Sequence, residues 1–320
     1  MLFALVPLAF AAPGSHANDA DAGNMDPHME DVRLEFGWKP GMSCNVTWRA
    51  SRTGLGEGRD ELRAGVMTLK VEPHEEGLLV RHLPADGEAA KERDPYAGLL
   101  DAVAQGVPDF VVALDGSYRK VQDIAAWRVS VRGEVAPLAQ KLEGEGRARY
   151  DALTERLTTG PTLATQVRRY WDKDVGLWLG QKLPAGSSAM AVVDSPSALM
   201  PDVSLSWMST LRFVKWVRCE EDDPTESCVL LEESSRAKEA DVRTAVTAYT
   251  QAFAGFGVDV GTPQVKAASL TRKVSFVAEP ETLVPHRYDE EARLHVEVEA
   301  NGPRTWDLVE TRQELTRCGG

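Results

Sequence analysis

Long uncharged runs are missing from this chain. No stretch approaches the roughly 20 apolar residues that a membrane-spanning helix needs, so at most a peripheral membrane association is expected. Cysteine is scarce, with four residues in 320 and no C-x-x-C pair, which removes the commonest redox signature. The six histidines (His16, His28, His74, His82, His286 and His295) form neither H-E-x-x-H nor any close ligand pair, and no metal is expected. A G-x-S-x-G elbow, a Walker loop and a G-x-G-x-x-G turn after a strand are also absent. Carboxylates are so numerous that no pair stands out as an acid/base couple. No catalytic residue and no cofactor is assigned on these grounds, and an enzyme ranks as the third reading. Cations are in deficit, 36 Lys and Arg against 49 Asp and Glu, and the net charge of −13 excludes nucleic acid as a partner for the surface as a whole. The single isoleucine, Ile124, reflects the codon usage of a GC-rich genome, which points to a bacterial chain and is silent on function.

What is present begins with an apolar run from Leu2 to Ala12, followed by Pro13, Gly14 and the small-x-small triplet Ser15-His16-Ala17. This is the pattern of a secretory signal cleaved after Ala17, although no Lys or Arg precedes Arg33. Residues 18–30 are polar and acidic, with the composition of a disordered leader. Export to the periplasm or beyond is the expectation. The remainder, 31–320, is expected to be a single β-rich domain, and its 43% hydrophobic content is enough for a real core.

Along the chain, period-two alternation marks strands. "SCNVTWRA" (43–50) alternates Cys44, Val46, Trp48 and Ala50 against polar partners. Met67, Leu69 and Val71, a turn at Pro73 to Gly77, and a return through Leu79 and Leu83 predict a hairpin. "YAGLLDAVAQG" (96–106) has a short helical pattern, and Asp115-Gly116 signals a second tight turn. A helical segment is expected over about 123–180, where Tyr150, Leu153 and Leu157 share one face and Leu163, Val167, Trp171, Val175 and Trp178 make a second stripe. Between Arg119 and Lys182 this segment carries 12 Lys or Arg against 8 Asp or Glu, as expected of a basic helical layer on an acidic sheet, with a site for an external anion as the alternative.

Strands return at "VSLSWMSTLRFVKWVRC" (203–219), apolar on both faces, which predicts coverage on both. Val242, Val246, Tyr249 and Phe253 define a later amphipathic helix. Two more alternating runs follow, Leu270, Val274 and Phe276, then Leu294, Val296 and Val298, with Asn301-Gly302 turning the chain into its last strand. His82 and His295 fall opposite the apolar positions of their runs and His74 falls in a turn, so all three are expected in solvent.

"CEEDDPTESC" (219–228) lies between two β-patterned runs. In an exported chain a bridge between Cys219 and Cys228 across the mouth of that hairpin is the first reading, and closing such a loop stabilises the fold by roughly 2.7 kcal/mol by chain entropy. The run lacks the ordered oxygens of a calcium loop. Cys44 and Cys318 remain and can pair if their strands are neighbours, although four cysteines allow three connectivities.

The fold class expected is thus α+β, a curved antiparallel sheet, open or a half barrel, packed by a helical middle segment and one later amphipathic helix. This order of elements, with "LDGSYRKV" and "GQKLPAG" along it, resembles the periplasmic lipoprotein-carrier (LolA/LppX-like) group and related exported β-rich bacterial proteins. The resemblance implies a sheet that wraps helices and holds acyl chains, and it carries over no functional residue. The function expected is a non-catalytic envelope protein that binds an apolar or amphipathic, lipid-like ligand between sheet and helices, with Tyr170, Trp171, Trp178, Trp207 and Trp216 as the candidate lining. The alternative is a structural or assembly component of a cell-envelope complex, an envelope protein being its partner.

Overall fold

A computed structural model describes residues 31–54, 61–84, 95, 98–99, 102–103, 107–184, 186–197, 203–222, 224–254, 264–299 and 303–319. The signal-like run, the leader, most of 96–106 and Asn301-Gly302 lie outside the described residues.

β1 (Val32–Arg33) pairs with β7 (Lys182–Leu183) in a small two-stranded ribbon. The main sheet has eleven strands. These are β2 (Ser43–Thr53), β3 (Glu61–His74), β4 (Gly77–Pro84), β5 (Phe110–Val112), β6 (Tyr118–Val121), β8 (Ser188–Pro196), β9 (Ser204–Val217), β10 (Cys228–Ala237), β11 (Gln264–Ala278), β12 (Pro285–Glu299) and β13 (Pro303–Gly319). Their spatial order is β6-β5-β4-β3-β2-β13-β12-β11-β10-β9-β8, antiparallel throughout. The edge strands β6 and β8 do not pair with each other, so the sheet is open, and the fold is α+β as the sequence pattern implies.

The last strand, β13, enters between β12 and β2 and joins the two halves of the sheet. Cys44 and Cys318 stand directly opposite across that junction and are bridged, with Cα atoms 3.9 Å apart. The second bridge joins Cys219 to Cys228, with Cα atoms 5.0 Å apart. Both pairings follow from strand neighbourhood: one pair is brought together by topology, the other by a hairpin.

Turn chemistry behaves locally. Asp115 accepts from the amide and hydroxyl of Ser117, and Gly116, at φ +84°, turns the chain where a Cβ would strike the Phe36 ring. The β3–β4 hairpin forms as expected, but Leu78 and Val80 are its buried positions rather than Leu79 and Leu83. That phase carries His82 inward, which corrects the expectation of exposure. The ring stacks on Phe110, with centroids 5.8 Å apart, and burial together with Lys173 lowers its pKa to about 4. His295, by contrast, lies on the open face as expected.

The strand at 204–217 corrects a second expectation. It is not covered on both sides: Leu205, Trp207, Leu211 and Phe213 are buried, while Met208 is 52% exposed. A bulge at Val214, where Leu230 pairs Lys215 but Leu231 pairs Phe213, resets the alternation and turns Trp216 toward the core.

The helices are α1 (Ile124–Ala139), α2 (Gly144–Leu157), α3 (Gly160–Trp171), continued by a π-helical turn (Asp172–Gly176), and α4 (Glu239–Ala254). Asp123 caps α1 by accepting from the Ala126 amide at 2.8 Å. The stripe Leu163, Val167, Trp171, Val175 and Trp178 is wholly buried, as its spacing requires. The middle segment is not a simple layer on the sheet, however. Trp127, Val131, Val135, Tyr150, Leu153 and Leu163 form a second, smaller core with Leu99 and Val103, whereas α3 from Val167 onward joins the sheet core. The charges of α1 and α2 nearly balance and meet in exposed pairs of their own, such as Arg128 and Arg132 with Glu155 and Arg147 with Asp151. Val242, Val246 and Tyr249 of α4 pack on the same sheet core, and the side chain of Phe253 lies outside the described residues.

Candidate functional site

The inner face of a sheet covered by helices should be apolar at every second residue. Over β10 to β13 it is apolar at both ends and charged in the middle. In β11 the inward phase runs Leu270, Arg272, Val274, Phe276, and in β12 it runs Tyr288, Glu290, Ala292, Leu294. Strand register then lines these positions up with Glu233 of β10 and with Glu310, Arg312 and Glu314 of β13. Arg52 of β2 stands opposite Glu310.

Arg272 is the hub. Its Nε donates to Glu290 at 2.7 Å, one terminal nitrogen to Glu233 at 3.0 Å and the other to the Tyr288 hydroxyl at 2.8 Å; that hydroxyl in turn donates to Glu290 at 2.9 Å. Ser235 caps the remaining side of Glu233. With Arg272 at 2% exposure and the side chains of Glu233 and Glu290 at 0% and 5%, this is a fully desolvated ion triad. Burial works against the Arg272 charge, but Glu233, Tyr288 and Glu290 outweigh it and raise its pKa. Burial also raises the pKa of Glu233, with Arg272 opposing.

A second knot sits where the π-helical turn meets the sheet. The wider turn closes through the Leu177 amide on the Asp172 carbonyl at 3.0 Å, and a Cβ on Gly176 would collide with the Asp172 carboxylate. This turn presents Lys173 downward. Its ammonium contacts Glu314, pairs with Asp174 at 3.0 Å and stands 4.4 Å from the Tyr288 ring centroid. Glu314 also accepts from Arg312. Burial would raise the Glu314 carboxyl, yet Arg312 and Lys173 together hold it at about 2. Asp174 has Lys173 alone beside it among cations in contact, and burial lifts it to about 6.

Along β2 and β13 the inward residues Trp48, Ala50 and Arg312 are half-buried, and the Glu310 side chain is 19% exposed. Trp48 lies flat over Gly65, where any Cβ would sit 2.8 Å from the indole, and the Arg312 guanidinium stands 5.7 Å from the Trp48 ring and 5.6 Å from that of Tyr170. Tyr249 of α4 flanks the other side, near enough to Arg52 to feel its charge; burial raises the Tyr249 phenol all the same. Arg52 meets Glu310 at 3.4 Å, and burial lifts the Glu310 carboxyl to about 7 despite it. This seam along β2 and β13 thus sets aromatic rings beside guanidinium groups.

The five residues proposed from sequence fall in different places. Tyr170 borders the seam, 6.0 Å from His82 by ring centroids. Trp171 packs edge-on with Phe36, Trp38 and Phe110, and its indole donates to the Gly116 carbonyl at 2.9 Å. Trp178 stacks on Phe276, Trp207 is fully buried in β9, and Trp216 leans edge-on against Phe213. Sequence reasoning passed over Arg52, Arg272, Arg312, Glu290, Glu310 and Glu314. For Arg52, Arg272 and Glu290 the signal was phase, each occupying the inward position of a strand whose other inward residues are mostly apolar, whereas in β13 Glu310, Arg312 and Glu314 succeed one another on the inward phase and give no such contrast.

No family model, curated protein or solved structure matches this chain.

Proposed function

We propose that the protein is a non-catalytic, exported envelope protein that holds an amphipathic, lipid-like molecule against the inner face of its open sheet. The observation that carries this reading is the seam over β2 and β13, where Trp48, Tyr170 and Tyr249 offer apolar walls and Arg52 and Arg312 offer guanidinium groups for an anionic head. Pockets for such ligands combine mostly apolar lining with a few placed polar groups. Two disulfides are consistent with export, since such bonds persist in oxidising compartments. The test is titration of the delipidated protein with a fluorescent anionic lysophospholipid. Saturable binding of one probe per chain is expected, weakened by Arg312→Ala and Trp48→Ala. Absence of saturable binding by folded protein, or binding that both variants leave unchanged, would overturn the reading.

The alternative, a structural component acting through protein contacts, is favoured by one feature. The edge strand β8 and its neighbour expose Met190, Val192 and Met208 at 60%, 70% and 52%, on a strand end with Asp194 as its sole charge. Recovery of a stoichiometric envelope partner that is lost on Val192→Lys would favour that reading over ligand binding.

A further inference from the structure

The Cys219–Cys228 bridge has a neighbour that a simple staple does not need. A ring nitrogen of His286, at the start of β12, and the two sulfurs lie within 4.8 Å of one another. His286 is 8% exposed. Its Nε2 lies 3.4 Å from Glu279 Oε1, and because a carboxylate only accepts, that nitrogen carries the proton. Glu279 is fixed in turn by the Thr282 hydroxyl at 2.6 Å. The lone pair is therefore on Nδ1, which is buried and has no hydrogen-bond partner among the described residues. Leaving a polar atom in that condition is costly, and the disulfide beside it has no hydrogen to donate.

A carboxylate on Nε2–H, an unpartnered Nδ1 and two sulfurs within 4.8 Å of a ring nitrogen are the parts of a metal-binding histidine with its supporting carboxylate. We propose that the hairpin mouth is a redox-gated site for a thiophilic divalent ion of the zinc type, formed by Cys219, Cys228 and His286 Nδ1 when the bridge is reduced. The reductant is a dithiol. It transfers two electrons and two protons to the protein disulfide and becomes a disulfide itself, leaving two thiols. The ion then displaces both thiol protons to solvent and takes two thiolates and one imidazole, with a fourth position open to water. On a tetrahedral zinc the sulfurs sit roughly 3.7 Å apart, given Zn–S distances of about 2.3 Å. The hairpin can supply that separation because Cys228 is fully buried in β10 while Cys219, beside Ser227 at 3.3 Å, sits in the partly exposed loop. This inference stands apart from the ligand reading above and would survive its failure.

Cobalt(II) is the probe. Added without oxygen to the full chain reduced with a phosphine, it should bind at one equivalent and give thiolate-to-cobalt charge transfer with tetrahedral d–d bands. The oxidised chain should give neither. His286→Ala should shift the bands and weaken binding at least about tenfold, and Glu279→Gln, which keeps all three ligands, should weaken it about 10- to 100-fold. Cys219→Ser/Cys228→Ser, which leaves Cys44 and Cys318 in place, should abolish the bands. Near-UV dichroism must persist on reduction, since the site requires the folded hairpin. The proposal is overturned by loss of that dichroism, by absence of the bands, by bands indifferent to His286→Ala, or by bands that survive the double serine variant.

Discussion

The two faces of β11 to β13 carry the same kinds of charge one residue apart, in surroundings that could hardly differ more. On the inner face Arg272 meets Glu290 with side chains 2% and 5% exposed; on the outer face Arg293 meets Glu291 with side chains 62% and 37% exposed. The bond lengths are nearly equal, 2.7 and 2.8 Å. Geometry therefore says little about the worth of an ion pair, and dielectric says most of it. In water an exposed pair contributes about 0–1 kcal/mol, whereas charges taken out of water must be paired or the fold loses several kcal/mol.

The largest effect is expected at the hub. Arg272→Ala leaves Glu233 and Glu290 buried without their guanidinium, and stability should fall by about 3–5 kcal/mol in urea unfolding. A loss under about 1 kcal/mol would mean that water reaches the triad and would erase the contrast between the faces. Replacing the whole triad sharpens the same comparison. Arg272→Met/Glu233→Leu/Glu290→Leu should be neutral or more stable by about 1–4 kcal/mol, because no buried charge is left unpaired. If that triple variant is stable but no longer binds the lysophospholipid probe, the belt is kept for the ligand and not for the fold.

Acid should distinguish the faces next. Asp172 and Glu310 are pushed up to about 7 and Asp174 to about 6, each chiefly by burial. In the unfolded chain these carboxyls titrate near 4, so between about pH 4 and 7 the folded protein binds more protons than the unfolded one. Their contribution is fully present below the unfolded values and lost as pH rises through about 7. His82, lowered to about 4, opposes them below about pH 6.5, one proton against three. Stability should thus rise as pH falls from 8 to about 5. Further acid removes the support of Glu314, which is held at about 2 and loses its stabilising charge as pH drops toward that value. Unfolding free energies at pH 8 and 5.5 provide the check, and Glu310→Gln should reduce the difference. A stability that falls steadily from pH 8 to 5.5 would contradict the buried titrations.

Much of the fold was legible because strand alternation and helical spacing are local. The stripe from Leu163 to Trp178, the β3–β4 hairpin and the pairing of Cys219 with Cys228 each depend on residues close in sequence. The charged belt was not read from the sequence, although its phase was there. The inward run Leu270, Val274, Phe276 has Arg272 at its missing position, and the run Leu294, Val296, Val298 extends back through Ala292 to Glu290. What no local pattern supplies is the partner. Glu233 reaches Arg272 only because β10 and β11 pair in one register, and Lys173 reaches Glu314 across 141 residues through a π-helical turn that helical periodicity does not announce. His82 was misplaced for a related reason: Leu79 and Leu83 hid the fact that Leu78 and Val80 were the buried phase.

The smallest effect belongs to the outer face, and its smallness is the sharpest test of the contrast. Arg293 donates to Glu291 two residues along its own strand, at 2.8 and 3.1 Å, so the pair ties no two strands together. With Arg293 62% exposed, both ions keep most of their water in either partnership. Arg293→Ala therefore gives up a screened attraction and recovers side-chain entropy, and the unfolding free energy should stay at that of the unsubstituted protein within the error of the measurement. Raising the salt from low to molar should shrink any residual difference, since exposed charges are screened over about 3 Å at 1 M, whereas the loss caused by Arg272→Ala should scarcely respond. A salt-sensitive Arg272→Ala, or a measurable salt-insensitive loss at Arg293, would show that the two faces are not divided by solvent access.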